Sequence, residues 1–170
     1  MAAVPFLTPE EVDALAARAH AGQYDRIGVP YVEHVRAVAA GVAPFGAGLR
    51  MAALLHDVLE DTPLTAEDLL AAGVPAAVVA TVRRVTRTPG ADYRAMLQDV
   101  ATDHAAALVK IADNAHNSRA DRAALLPAAD RARLAERYRA ARAVLWPAVA
   151  VADVRTIVAL VNPDLLAELD

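Results

Sequence analysis

Four side chains that could bind a metal ion stand in otherwise apolar stretches of the sequence: His34, the adjacent pair His56 and Asp57, and Asp113. A carboxylate buried without a partner is costly and would take up a proton sooner than stay ionised. Two imidazoles and two carboxylates form a mixed nitrogen and oxygen ligand set, which is typical of one divalent transition metal. The sequence therefore predicts one metal site, and the absence of cysteine excludes thiolate ligands.

Two further acids, Glu60 and Asp61, follow the His56-Asp57 pair by one helical turn. Residues four positions apart on a helix share a face, so we expect Glu60 beside His56 and Asp61 beside Asp57. Four such groups on one patch would repel each other or shift in pKa without a cation nearby. An ordinary exposed helix end, stopped by the Thr62-Pro63 step, is the alternative for the two acids.

The ligands must be carried by several helices. Adjacent residues on a helix project about 100° apart, so His56 and Asp57 can share an ion only in the interior of a bundle. Helix N-caps are predicted at Thr8, Thr65 and Asn162. The expected helices are 9–21, 30–42, 47–60, 65–72, 75–87, 91–101, 103–118, 121–146 with a break near Pro127, and 148–168 with a break near Pro163. Ordered loops are predicted at 22–30 and 86–90.

Composition limits the class of protein. A chain of 170 residues with 56% hydrophobic residues and few aromatics is the size of one domain, and we predict a single all-α bundle of about eight to ten helices over 1–170. No secretion signal or membrane span is evident, so a cytoplasmic protein without a membrane partner is expected. The net charge of −4 argues against nucleic-acid binding, but it is compatible with a phosphorylated small molecule as the substrate. Oligomer formation is left open.

Four ordered blocks carry a resemblance to a known family. They are Ala19–Gln23, Gly28–His34, Ala53–Thr62 and Val109–Asn117. In this order they resemble the HD-domain metal-dependent phosphohydrolases, and especially the hydrolase domains of Rel/Spo alarmone enzymes and the small stand-alone alarmone hydrolases. The resemblance covers a motif-bearing core of about residues 8–150 and implies the HD-domain fold.

The resemblance also implies roles for individual residues. His34, His56, Asp57 and Asp113 would bind one metal, while Glu60 and Asp61 would activate water and pass a proton to the leaving group. Mn²⁺ fits the ligand set best, with Fe²⁺ and Zn²⁺ as rivals. Substrate contacts are expected from Arg26, Lys110, Asn117 and Tyr138. The alternatives are a helix cap for Asn117 and an ordinary core aromatic for Tyr138. Three weaker histidine candidates remain: His20, which could orient the following loop, and His104 and His116, both expected at the surface.

The substrate implied by the resemblance is a phosphorylated nucleotide, guanosine 3′,5′-bis(diphosphate), cleaved to release pyrophosphate. A general nucleotide phosphohydrolase or 5′-nucleotidase of the same superfamily is one alternative, and a non-catalytic metal-binding regulatory module is another. Asp25 and Ile27 depart from the family pattern, which has Arg and Ser at these positions. Asp25 would place a negative charge near an anionic substrate and weaken recognition of the base, unless Arg26 takes over that contact.

Overall fold

Helices form the regular secondary structure of residues 5–170, the part of the chain that the computed structural model describes. The α-helices are α1 (Pro9–Ala19), α2 (Tyr31–Val42), α3 (Ala47–Leu55), α4 (Val58–Asp61), α5 (Ala66–Ala71), α6 (Ala76–Val85), α7 (Tyr93–Val100), α8 (His104–Asn117), α9 (Ala120–Ala124), α10 (Ala128–Leu145) and α11 (Val151–Val161). Short 3-10 helices lie at Ala43–Phe45, Trp146–Ala148 and Pro163–Glu168. The predicted all-α class is confirmed. Residues 1–4 of the predicted domain lie outside the described part.

The number of α-helices exceeds the prediction because two predicted helices are divided. One division, at Pro127, was expected because a proline has no amide N–H to donate within a helix. The other was not: the predicted helix 47–60 stops at Leu55 and resumes at Val58. In a continuous helix the Ala53 carbonyl would accept the Asp57 N–H. Here it instead accepts the backbone N–H of His56 at 3.4 Å and lies 2.7 Å from the ring nitrogen Nδ1 of the same residue, so His56 takes the place of the Asp57 N–H.

Two of the three predicted N-caps act as expected. The Thr8 and Thr65 side chains each accept a hydrogen bond from the backbone N–H of the third residue of their helix. In return, the side chains of those third residues, Glu11 and Asp68, accept the backbone N–H of the capping threonine. Asn162 precedes a helical turn as predicted, but its side chain does not cap that turn. It donates to the Ala115 carbonyl on α8 instead, at 3.0 Å, and so ties the end of α11 to α8.

The central helices place the predicted ligands near one another. One hydrophobic cluster extends from Val12 to Leu165, and within it α2 packs against α3, α8 and α11. α2 carries His34, the turn between α3 and α4 carries His56 and Asp57, and α8 carries Asp113. Within residues 5–170, none of the helices combines the length and the apolar character needed to span a lipid bilayer.

Candidate metal centre and cavity

His56 is the most deeply buried member of the predicted ligand set. Its Nδ1 faces the Ala53 carbonyl at 2.7 Å, which directs Nε2 toward the other ligands. That Nε2 is buried and has no hydrogen bond of good geometry, although Asp57 Oδ2 lies 2.9 Å away. A buried nitrogen aimed at carboxylates and left without a proper hydrogen bond is the arrangement expected of a metal ligand.

His34 approaches the same point from α2. Its Nε2 lies 3.6 Å from Asp57 Oδ2 and 3.2 Å from Asp113 Oδ1. Ligand atoms of His34, His56 and Asp57 all lie within 4.8 Å of one another. Asp113 completes the set through its contact with His34 and a 3.7 Å approach to His56 Nε2. The structure thus brings all four predicted ligands together, and His34, His56 and Asp57 lie close enough to one another to bind the same ion.

His116 was predicted to lie at the surface, and this prediction is wrong. The residue is half-buried, and its Nδ1 lies 2.8 Å from Nδ1 of His34. Burial, followed by the nearby His34 and Arg122, lowers the pKa of His116 to about 3, so its ring is neutral and can accept a hydrogen bond from His34. The available signal was its spacing, because a residue three positions after Asp113 shares its helix face. His104 is exposed at the start of α8, as expected.

The two carboxylates are held by neighbouring polar groups. The Tyr31 hydroxyl donates to Asp57 Oδ2 at 2.7 Å. On α8, Lys110 Nζ donates to Asp113 Oδ2 at 2.8 Å, and Asn117 Nδ2 donates to Asp113 Oδ1 at 2.7 Å. Lys110 and Asn117, both predicted to contact substrate, therefore also orient a candidate ligand.

Electrostatics at the centre favour a cation. Burial alone would lower the pKa of His56, but Asp57 and Asp113 raise it to about 10. Burial alone would raise the pKa of Asp113, yet Lys110 and the two histidines hold it well below its ordinary value. Burial alone would raise the pKa of Asp57 too, but His56 and His34 lower it. Both carboxylates are thus ionised and concentrate negative charge where a metal ion would bind.

A cavity of about 350 Å³ opens onto the centre. Its wall includes all the residues predicted to contact substrate, namely Arg26, Lys110, Asn117 and Tyr138. His34, Asp57, Asp113 and Glu60 also line it. The cavity also contains residues that the sequence did not single out, namely Arg87, Tyr93, Arg122 and Arg137. In a chain whose basic residues are nearly all Arg, no local pattern distinguishes these from arginines at the surface.

Glu60 and Asp61 occupy different positions relative to the cavity. Both are exposed, but only Glu60 lies in the cavity wall, where its Oε2 accepts the Arg87 N–H at 3.1 Å. Packing around the Asp61 carboxyl group and the nearby Asp57 raise the pKa of Asp61. The Gln23 side-chain amide donates a hydrogen bond from Nε2 to the Asp61 backbone carbonyl at 2.9 Å, and the Oε1 of the same amide lies 2.8 Å from His20 Nδ1. His20 therefore orients the start of the predicted loop.

Asp25 has a structural role in this loop. Its Oδ1 accepts the N–H groups of Ile27 and Val29 at 3.0 and 2.9 Å, and its Oδ2 forms an ion pair with Arg122 on α9 at 2.8 Å. Gly28 takes a positive φ of 82°, which closes the turn. The sequence predicted that Asp25 would place a negative charge near the substrate. Asp25 does line the cavity, but Arg122 balances its charge.

Several known proteins are similar to this chain in sequence or fold, although no protein-family model matches it. The bifunctional (p)ppGpp synthase/hydrolase SpoT of Escherichia coli (strain K12) is 35% identical over 117 residues, which are 62% of this chain and 17% of that protein. A probable GTP pyrophosphokinase of Mycobacterium leprae is 36% identical over 131 residues, 71% of this chain and 16% of that protein. A solved structure, described as a metazoan ortholog of SpoT that hydrolyzes ppGpp and plays a role in starvation responses, matches with a TM-score of 0.74 and 26% identity.

The chain is therefore similar to SpoT/Rel-type hydrolases in both sequence and fold. The match to the metazoan SpoT ortholog covers 93% of this chain and 97% of that one, so the two share nearly all of their fold. Against the curated relatives, in contrast, the chain spans less than a fifth of their length. The predicted resemblance to SpoT/Rel-type hydrolases and the predicted HD-type fold are both confirmed.

Proposed function

We propose that this SpoT/Rel-type chain is a metal-dependent hydrolase that removes the 3′-diphosphate of guanosine 3′,5′-bis(diphosphate). The observation that carries the proposal is the convergence of His34, His56, Asp57 and Asp113 beside a cavity rich in arginine. Further support comes from the metazoan SpoT ortholog, which is described as hydrolysing ppGpp and aligns with almost the whole chain. One hydrophobic core from Val12 to Leu165 supports treating residues 1–170 as a single domain.

The four ligands fit a single divalent cation, which we propose to be Mn²⁺. When bound, such an ion would polarise a phosphate oxygen and make a water molecule more acidic. Around it, Tyr31 and Lys110 hold the two ligand carboxylates ionised and oriented. The set contains no sulfur, and carboxylates together with imidazole suit Mn²⁺ or Fe²⁺ at least as well as Zn²⁺.

The chain's own acids would manage the protons. Glu60 lies in the cavity wall, where the Arg87 N–H fixes one of its oxygens, so the other is available to take a proton from the attacking water. The family resemblance gives Asp61 the return of a proton to the leaving group; its raised pKa suits that role, while its position outside the cavity wall does not by itself support it. The water oxygen bonds to phosphorus as the bond between phosphorus and the 3′-oxygen breaks, and the 3′-oxygen takes up a proton. The products are guanosine 5′-diphosphate and pyrophosphate. Arg26, Lys110, Asn117 and Tyr138 would contact the substrate.

The proposal is tested by incubating the purified chain with Mn²⁺ and guanosine 3′,5′-bis(diphosphate), and by measuring guanosine 5′-diphosphate and pyrophosphate. Equal yields of both products are expected, and a chelator or the Asp113→Asn substitution should abolish them. Preferential release of phosphate from nucleoside monophosphates would instead indicate a 5′-nucleotidase. A protein that binds metal but hydrolyses no nucleotide would be the non-catalytic regulatory module.

A further inference from the structure

Arg142 on α10 is a buried cation that does not line the cavity. Only 7% of the residue is exposed, and an unpaired charge at such a position would be costly. Glu168, at the end of the 3-10 helix Pro163–Glu168, accepts from Nε and Nη2 of the guanidinium at 2.9 and 2.8 Å. The remaining nitrogen, Nη1, donates to Ser118 Oγ at 3.1 Å and to Asn114 Oδ1 at 3.4 Å. Glu168 therefore balances the charge of Arg142, and the guanidinium reaches the last turns of α8.

The side-chain amide of Asn114 connects this arginine to the cavity wall. Its Oδ1 accepts from Arg142, which turns Nδ2 toward the backbone carbonyl of Tyr138 at 3.1 Å. Tyr138 lines the cavity, and so does its neighbour Arg137, whose Cζ lies 4.1 Å from the centroid of the Tyr93 ring. Asn114 is itself buried in the same wall. One side chain thus joins α8 to the turn of α10 that lines the cavity.

The 3-10 helix Pro163–Glu168 is anchored at its start independently of Glu168. Asn162 donates to a carbonyl of α8 at 3.0 Å, and Leu165 is buried in the core. The Glu168 side chain is 42% exposed, so its replacement opens no cavity in the core. Loss of the Glu168 charge should therefore leave this helix in place and act mainly on the guanidinium of Arg142.

These contacts give two residues outside the cavity an effect on its wall. We propose that Arg142, held in place by Glu168, is a positioning residue that sets the Asn114 amide and, through it, the Tyr138 turn of α10. The inference rests on the proposed function, in which Tyr138 contacts the substrate. Without the Glu168 charge the buried guanidinium would lack its counter-ion and turn toward solvent, so the Asn114 amide would lose its fixed orientation. Substrate binding should then weaken, while the metal ligands and the acids that transfer protons stay in place.

Glu168→Gln tests this role, with Asp170→Asn as a matched control. Asp170 lies two residues further along and pairs with Arg155 at the surface, so its substitution removes a nearby carboxylate without affecting Arg142. With Mn²⁺ and guanosine 3′,5′-bis(diphosphate), Glu168→Gln should raise KM on the order of tenfold with little change in kcat, the loss typical of one hydrogen bond. Asp170→Asn should match wild type, and all three proteins should bind Mn²⁺ equally well. An unchanged KM, or a loss of kcat and metal together with the rise in KM, would overturn the positioning role.

Hydrogen exchange provides a readout that does not depend on the proposed activity. In the chain without substrate, Glu168→Gln should speed the exchange of backbone amides in 113–118 and 137–142 by about tenfold, because the tie between α8 and α10 is loosened. Asp170→Asn should leave both segments as protected as they are in wild type. This result would support the coupling even if no nucleotide were hydrolysed. Faster exchange confined to 163–170 would refute it even if hydrolysis were efficient.

Discussion

Asp25 and Arg122 form an ion pair in the cavity wall that joins the 22–30 loop to α9. Both side chains are largely buried, with exposed fractions of 6% for Asp25 and 18% for Arg122. The other oxygen of Asp25 accepts two backbone N–H groups of its own loop. The loop conformation and the position of Arg122 therefore depend on one carboxylate.

Replacing Asp25 with Arg, the residue of the family pattern, should damage this protein. The substitution removes the acceptor for two N–H groups and places a second cation beside Arg122, so we expect a loss of about 2–4 kcal/mol in the free energy of unfolding and a lower kcat/KM. Asp25→Asn retains one oxygen for the loop and should lose less. Urea unfolding and steady-state kinetics of both variants provide the measurement. An Asp25→Arg enzyme more active than wild type would show that Asp25 only weakens substrate recognition.

The free energy of unfolding should depend on pH through the same carboxylate, that of Asp25. Burial alone would raise the pKa of Asp25, but the N–H groups of Val29 and Ile27 and the Arg122 guanidinium outweigh burial and hold the pKa below its ordinary value. A depressed pKa gives stability that is complete above the unfolded-state pKa of about 3.9 and lost as the pH falls through the folded-state pKa. The stability difference between wild type and Asp25→Asn should thus be constant from pH 7 to about pH 5 and shrink at lower pH. A difference that widens on acidification would contradict this assignment.

Metal binding and proton transfer should separate at two neighbouring positions. Asp57→Ala removes a proposed ligand and should lose most of the metal found by elemental analysis. Glu60→Gln removes an acid in the cavity wall that contacts none of the four ligands, so it should keep the metal and lose on the order of 10²–10⁴ in turnover. Loss of metal in Glu60→Gln would make Glu60 a ligand, and unchanged turnover would exclude it from proton transfer.

His116 should support metal binding without touching the ion. Its Nδ1 lies 2.8 Å from His34 Nδ1, and when His34 Nδ1 carries the proton and donates it to this hydrogen bond, His34 Nε2 is free to bind a metal. Partners of this kind usually contribute about ten- to a hundredfold to metal affinity, so His116→Ala should weaken Mn²⁺ binding by that factor. His104→Ala is a suitable control because His104 is exposed at the other end of the same helix. Equal affinities in the two variants would exclude this role.

Two glycines in helices should respond in opposite ways to alanine. At Gly41 on α2 an added Cβ would overlap the Val161 Cγ2 atom on α11, so Gly41→Ala should cost about 1–3 kcal/mol in the free energy of unfolding. At Gly48 on α3 an added Cβ meets nothing within 4 Å, so Gly48→Ala should stabilise by about 0.4–1 kcal/mol. Thermal and urea unfolding of both variants would check the pair. A neutral Gly41→Ala would mean that α2 and α11 can separate at little cost.

Local chemistry explains which features could be predicted. The Thr8 and Thr65 caps and the ligand blocks could be located from the sequence, because neighbouring residues determine them. The break after Leu55 could not, because helical periodicity does not reveal that the His56 ring competes for the Ala53 carbonyl. The Asp25–Arg122 pair and the Arg137 stack on Tyr93 join distant segments, so only the packing of the helices brings them together.

The proposed ligands come from three separate segments of the chain, and this has a consequence for stability. His34 and Asp113 are separated by almost half of the sequence, and the His56-Asp57 turn lies between them. A bound ion would act as a non-covalent cross-link that closes two long loops and favours the folded chain over the unfolded ensemble. The melting temperature would then rise with the concentration of free metal, and heat tolerance would depend on how well the surroundings supply that ion.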